Sequence, residues 1–293
     1  MKRLGDHKAD VVELEKLVGR VLLEDCSKEY PVTRANVPQT VWAMVLARTR
    51  STRLPGKATL EIGGMPTLQH LCERLKQAHS LDRIVLCTTE EPEDDSLVQL
   101  AEHSGVHWFR GPTEDVLGRM LGALEGEDVD LAVRVTGDDI LVDPDYLDRA
   151  VSHHLRVNAE YSDLKALPSG TEVEVFDVAL LRDLWLLARD SSGTEYLTTY
   201  IAYHRDQFRT TSVPVDGRHS HRWRLTLDTP EDYEVIRKVL EAMQAQGKAH
   251  TYRLDDIVEF FSEHPEILAL NSQVSQSQIA PKLCTELDWR RLA

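Results

Sequence analysis

Short apolar runs alternate with helical stripes along most of this chain. Val41-Trp-Ala-Met-Val45 is continuously apolar between polar flanks, the pattern of a strand buried on both faces. The spacing of Leu68, Leu71, Cys72 and Leu75 predicts a helix over 67–78. Residues 82–89 then predict a second strand, 93–104 a helix, 105–109 a strand, 115–125 a helix and 130–136 another strand. Strands that alternate with helices of this length predict a mostly parallel sheet with right-handed crossovers.

Beyond Asp143 the pattern loosens. Residues 172–176 alternate as a strand, 178–189 read as a helix, 208–215 as strand-like, and 222–228 as a return to β. Amphipathic helices are expected over 231–244 and 254–263. At the other end, Val11, Val12, Leu14, Leu17, Val18, Val21 and Leu22 form a helical stripe, and 30–40 read as a linker. The expected organisation is a helical extension and linker over 1–40, then one α/β domain over 41–293. The apolar stripe of the extension suits packing on that domain or on a second copy in a homodimer.

With 293 residues, 42% of them hydrophobic, the chain can bury one sizeable core. No run approaches the ~20 apolar residues that span a bilayer, and the N-terminus lacks an apolar signal core. Cys26, Cys72, Cys87 and Cys284 show no paired spacing, and Cys72 and Cys87 sit in apolar surroundings as small core residues. A reduced, cytoplasmic protein without a zinc motif is expected. The net charge of -15 argues against nonspecific nucleic-acid binding.

Against that acidic background, Arg48, Arg50, Arg53 and Lys57 crowd into one loop after the first predicted strand. Strand ends of that kind carry the ligand crevice of an open α/β sheet. Arg forks, a Lys point charge and loop N–H groups suit a polyphosphate; a solvated basic loop is the bland alternative. Two acidic residues stand at other predicted strand ends. Asp138 follows Gly137, whose freedom to turn exposes the carboxylate, and Asp228 precedes Thr229-Pro230. Asp138 also reads as a simple turn residue and Asp228 as a helix cap. Facing a basic loop, the two are the parts of a Mg2+ site, because Mg2+ prefers one or two carboxylates plus phosphate oxygens and waters.

The segments Ala47-Arg-Thr-Arg-Ser-Thr-Arg-Leu-Pro-Gly-Lys57, Gly63-Gly-Met-Pro66 and Cys87-Thr-Thr-Glu-Glu-Pro-Glu-Asp-Asp95 occur in that order. Phe109-Arg-Gly, Asp115-Val-Leu-Gly-Arg119, Val133-Arg-Val-Thr-Gly-Asp138, Glu172-Val-Glu-Val-Phe176 and Leu227-Asp-Thr-Pro-Glu-Asp232 follow. Together they resemble the spore-coat-polysaccharide type of cytidylyltransferase, related to the CMP-sialate and CMP-Kdo synthetases. The resemblance runs from about Val41 to Asn271 and implies a Rossmann-like, glycosyltransferase-A-like nucleotidyltransferase fold.

It also implies a site. The Arg48–Lys57 loop would wrap the CTP triphosphate, with Leu46, Ala47, Arg48 and Ser51 lining it and Arg53 and Lys57 as its cations. Asp138 and Asp228 match the metal-binding aspartates, for Mg2+. Arg134 and Thr136 would flank the pocket, and Thr88 and Thr89 would lie near the nucleoside. Thr171, Glu172, Glu174, Glu195 and Arg224 fall on the acceptor side, where the acceptor is a nonulosonic acid, another sugar or a phosphonate. The implied reaction is attack of an acceptor oxygen on the α-phosphorus, with pyrophosphate leaving.

The chain departs from the family in two places. The usual Gly-Asp-Cys-Pro-Leu is Gly137-Asp-Asp-Ile-Leu141, which adds a carboxylate and removes a proline. The usual acidic-His-Val-Thr is Glu195-Tyr-Leu-Thr198. His219, His221 and Arg222 add positive charge near Asp228, as an acceptor grip or as a solvated loop. His153 and His154 read as solvated, and Trp185 with Leu181, Leu184 and Leu187 as a core stripe. Two other readings compete: a different NTP or a nucleotide-sugar glycosyltransferase on the same fold, and a catalytically weak binding or regulatory relative. A glycosyltransferase would normally carry an Asp-x-Asp metal motif, which Asp138-Asp139 is not.

Overall fold

A computed structural model describes residues 39–187 and 204–275, with Thr198, Tyr200 and Ile201. Residues 1–38 of the helical extension and linker expected over 1–40 lie outside the described residues, as do Cys26, Cys284 and Glu195. Strand β1 (Val41–Leu46) is an interior strand of the main sheet, and its side chains divide between two cores. Val41, Ala43 and Val45 face one core, and Trp42 and Met44 face the other. This period-two alternation of apolar residues on both faces is what a sheet covered by helices on each side requires.

The sheet has the order β5 (His107–Gly111), β4 (Arg83–Thr89), β1, β6 (Leu131–Thr136), β8 (Glu174–Asp177), β7 (Tyr161–Asp163), β9 (Thr210–Ser212). Strands β4, β5 and β6 run parallel with β1 in one block. Strand β8 is antiparallel to both β6 and β7, and β9 is parallel to β7. The expected mostly parallel α/β sheet is present. A small hairpin, β2 (Glu61–Ile62) with β3 (Met65–Pro66), stands apart from it.

Helices α1 (Thr67–Leu75), α2 (Asp95–His103), α4 (Pro144–Arg156), α6 (Pro230–Ala245) and α7 (Leu254–Glu263) cover the first face. Helices α3 (Val116–Ala123) and α5 (Val178–Leu187) cover the second. Cys72 and Cys87 are buried in these cores, and burial pushes both thiols up to about 12. No helix among the described residues is long and apolar enough to cross a membrane.

Several expectations need correction. Residues 222–228 form no strand; their ladder is one isolated parallel bridge between Ser169 and Arg224. Ser169 takes both bonds that the segment offers there, from Leu225 N–H and to the Trp223 carbonyl, and Leu227 N–H goes to Asp138 instead. Strand β5 begins two residues later than expected. Helix α4 emerges where the pattern had loosened, although its start signal is plain: Asp143 accepts from Tyr146 N–H ahead of Pro144. His154 on α4 is fully buried, between Ser162 and Asp177. Trp185 is 44% exposed, while Leu181, Leu184 and Leu187 are buried as expected.

Among the described glycines, another segment's backbone comes nearest at Gly170. Its φ is +98, and a Cβ there would meet the Leu225 carbonyl carbon and oxygen at 2.3 Å. Strain at such a backbone angle alone costs on the order of 1–3 kcal/mol, and the overlap with backbone adds to it. Gly170→Ala is therefore expected to lower the melting temperature by several degrees and to displace the segment that carries Asp228. Differential scanning calorimetry checks it; an unchanged melting temperature would show that the loop yields freely.

Candidate active site

Two parallel strand ends and the segment leading to Asp228 set the site. Strand β1 ends at Leu46 and runs into the basic loop, and β6 ends beside it at Thr136. Gly137 N–H continues the pairing to the Leu46 carbonyl at 2.8 Å. A Cβ at Gly137 would come within 2.6 Å of Ala47 Cβ, so only glycine lets the two ends lie this close. The chain then turns and presents Asp138. The backbone carbonyl of Asp138 accepts from Leu227 N–H at 2.9 Å, which brings Asp228 alongside.

The basic loop closes on itself. Gly56, at φ +68, lets its N–H reach the Thr49 carbonyl at 3.2 Å, and Lys57 follows directly. Lys57 Nζ then donates to Asp138 Oδ2 at 2.6 Å and to Asp228 Oδ1 at 2.8 Å. Arg53 Nη2 lies 2.8 Å from Asp228 Oδ2, and Arg224 Nη2 donates to the same oxygen at 3.1 Å. Burial alone would lower the Lys57 pKa, but Asp138 and Asp228 outweigh it and raise the value above 10.5. Burial would likewise raise Asp228, yet Lys57, Arg53 and Arg224 hold it below the usual carboxylate range.

A cavity of about 470 Å³ opens over this cluster, within the size range of small-molecule sites. Of the residues expected at the nucleotide and metal site, Leu46, Ala47, Arg48, Ser51, Arg53, Lys57, Arg134, Thr136, Asp138 and Asp228 all line it. Arg50, Thr52, Val116 and Arg119 join them, and Arg119 is buried at the wall. Arg119 sits on α3, whose N-cap Asp115 accepts from Gly118 N–H at 2.7 Å. The signal for this helix start in the sequence is Asp115 itself, a residue type that caps helices.

Thr88 and Thr89 are not on the cavity. Both are buried, and both hydroxyls donate to Asp94 Oδ2. They face inward because β4 is a central strand whose end is covered by the turn that carries Asp94.

On the acceptor side the structure separates the expected residues. The Thr171 hydroxyl donates to the Pro168 carbonyl and is buried. Arg224 is committed to Asp232 through two bonds of 2.8 Å, besides its contact with Asp228. Glu174 pairs with Arg134 at 2.7 Å, a consequence of the β6–β8 register that places the two residues opposite each other. Glu174 also accepts from the Tyr161 hydroxyl at 2.7 Å. Glu172 Oε2 accepts from Gly170 and Thr171 N–H groups at 2.6 and 3.1 Å. Burial, with repulsion from Glu174, pushes Glu172 up to about 7 even against those bonds.

The extra carboxylate, Asp139, is bonded to the Thr136 hydroxyl. Burial, then repulsion from Asp138 and Glu172, holds it well above the usual carboxylate range. The added acid is thus a hydrogen-bonded neighbour of the Asp138–Asp228 pair.

The histidines near Asp228 are turned elsewhere. His219 is buried between the Tyr146 hydroxyl and Asp255, each at 2.9 Å, and His221 stacks on Trp223. Arg222 is exposed.

The cap alternative for Asp228 also fails. Thr229 is the N-cap of α6, in a reciprocal capping box with Asp232, which leaves the Asp228 carboxylate outside the cap. Asp138 and Asp228 each direct one oxygen at the same point, which Lys57 Nζ marks. Paired hard oxygen donors of this kind fit a Mg2+ whose remaining ligands are phosphate and water. Among the described residues there is no cluster of three or more His, Cys, Asp or Glu side chains that could hold a metal ion.

The profile of a family described as cytidylyltransferase matches residues 42–257. An uncharacterized protein of Methanocaldococcus jannaschii is 32% identical over 234 residues, 80% of this chain and 95% of that protein. The spore coat polysaccharide biosynthesis protein SpsF of Bacillus subtilis is 30% identical over 229 residues, 76% of this chain and 94% of that one. Among solved structures, a cytidylyltransferase from Leptospira borgpetersenii superposes with a TM-score of 0.73 at 30% identity, covering 82% of this chain and all of that one.

Proposed function

From the fact that the chain belongs to the cytidylyltransferase family, and so is a nucleotidyltransferase, we propose that it transfers CMP from CTP to an acidic sugar or related acceptor and releases pyrophosphate. The observation that carries this reading is the ion cluster lining the cavity: one lysine and one arginine of the basic loop meet two aspartates from separate turns. Such a cluster holds both halves of a site for a metal-bound triphosphate.

Asp138 and Asp228 would hold a Mg2+, which at such a pair supplies charge neutralisation and polarisation of the α-phosphate. Once a triphosphate enters, Lys57 and Arg53 have better partners in its oxygens than in each other's aspartates, because charge-assisted bonds to phosphate are strong and a guanidinium can bind it at two points. They would take up the negative charge that grows on departing pyrophosphate. Arg48, Arg50 and the loop amides would orient the β- and γ-phosphates, and orientation together with charge neutralisation is most of what phosphoryl-type transfer asks of a protein. An acceptor already anionic at its attacking oxygen needs no base; a hydroxyl acceptor would give its proton to a nearby carboxylate.

Pyrophosphate release is the test, with CTP, UTP, GTP and ATP, in Mg2+ or in EDTA, across a panel of nonulosonic acids, neutral sugars and phosphonates. The expected outcome is release with CTP and Mg2+ and one CMP conjugate found by mass spectrometry. Release with another nucleotide alone would overturn the base assignment. Nucleotide-dependent thermal shifts without turnover on any acceptor would instead favour a binding or regulatory protein.

A further inference from the structure

Behind the basic loop lies a buried acid that the proposed chemistry does not use. Asp94 is only 2% exposed, in the short turn between β4 and α2. Its Oδ1 accepts from Thr49 N–H at 2.6 Å, and its Oδ2 accepts from the Thr88 hydroxyl at 3.0 Å and the Thr89 N–H at 3.2 Å, with the Thr89 hydroxyl also donating. The Thr49 hydroxyl adds a bond to the neighbouring Glu93 carbonyl at 3.1 Å. Burial would raise the Asp94 pKa, but the bonds from Thr89, Thr49 and Thr88 outweigh it and keep the group below its ordinary value.

Placing a carboxylate here is electrostatically unfavourable for a site meant to take a triphosphate, because it adds a negative charge behind the loop. Its contacts show what it gains. Thr49 is the point at which the loop closes, since its carbonyl receives Gly56 N–H. Fixing Thr49 therefore fixes Gly56 and, one residue on, Lys57. The chain of contacts runs from strand β4 through Asp94 and Thr49 to the cation that bridges Asp138 and Asp228.

The geometry assigns Asp94 as a positioning residue for the triphosphate loop, one that raises nucleotide affinity by anchoring Thr49 to the end of β4. This inference rests on the CTP-dependent reading above. It makes a prediction whose sign is opposite to that of simple electrostatics. Asp94→Asn keeps the shape and removes the charge, so a bystander acid would leave CTP binding unchanged or tighter. A positioning acid gives weaker binding, because the amide cannot accept from all the donors that Oδ2 serves.

Isothermal titration with CTP and Mg2+, together with steady-state kinetics, separates the two. Losing charged hydrogen bonds should raise the Kd and KM for CTP about tenfold, with a smaller fall in kcat, because the loop grips the triphosphate before transfer as well as during it. Should Asp94→Asn prove too unstable to measure, Thr88→Val removes a single donor to Oδ2 at nearly constant shape and is expected to raise the Kd about two- to fivefold. Unchanged or tighter CTP binding in either folded variant overturns the assignment. If the wild-type protein itself binds no CTP, the functional reading fails first and this inference falls with it.

Discussion

Asp138→Asn and Asp228→Asn are each expected to lower pyrophosphate release by more than the roughly 10–100-fold that loss of an outer-shell metal partner costs. The double variant should be little worse than either single one, because groups that act as one unit are not additive. The structural ground is convergence: each aspartate turns one oxygen toward the position of Lys57 Nζ, at 2.6 and 2.8 Å. An amide keeps the size of the side chain but gives up the charge that a hard divalent cation needs. The Asp228 variant is informative on stability too. Thr229 and Asp232 cap α6, so Asp228→Asn should leave the helix start intact and the melting temperature near that of the wild type. Turnover is read beside nucleotide-dependent Mn2+ binding by electron paramagnetic resonance. An active Asp228→Asn enzyme with normal Mn2+ uptake would remove Asp228 from the metal site and end the shared-ion mechanism.

Lys57→Met should produce the second large effect. Losing a charged partner to phosphate costs on the order of 1.5–3 kcal/mol, which is about tenfold to a hundredfold in CTP affinity. Arg53→Ala should act in the same direction but less, since Arg53 is 37% exposed where Lys57 is 17% exposed, and solvent screens the more exposed charge. Lys57 has a further role in the nucleotide-free protein, where it neutralises two aspartates that would otherwise repel. Its folded pKa is raised, so its stabilising contribution is complete below the unfolded value of 10.5 and is lost only as pH rises through the folded value. Lys57 therefore sets no basic limb of the activity profile near neutral pH. Equal CTP affinity in wild type and Lys57→Met, measured by titration calorimetry, would detach the loop from the triphosphate.

The amino-acid sequence by itself determined the two-sided burial of β1, because a run of consecutive apolar residues leaves neither face for water. It also marked the alternation of strands and helices, the basic loop after β1, and Asp138 and Asp228 as acids at turns. These are local signals, since each depends on residues within one element or its immediate flank. Helix α4 carries local signals of the same kind: Asp143-Pro144 marks its start, and Tyr146, Leu147, Ala150 and Val151 recur at helical spacing on its buried face.

What only the tertiary structure decided is partnership among polar groups. Lys57 meets Asp138 and Asp228, 81 and 171 positions away, because the sheet order sets β6 beside β1 and Leu227 docks on Asp138. Nothing in the spacing of Thr88 and Thr89 distinguishes hydroxyls that face a cavity from hydroxyls that hold Asp94. Arg74 makes the same point. Although charged, it is fully buried, with its guanidinium over the Tyr252 ring and bonded to the carbonyls of Val142, His250 and Tyr252. A buried charge needs hydrogen-bonding partners, and for Arg74 distant backbone supplies them. That supply is a property of topology, and hydropathy along the chain carries no trace of it.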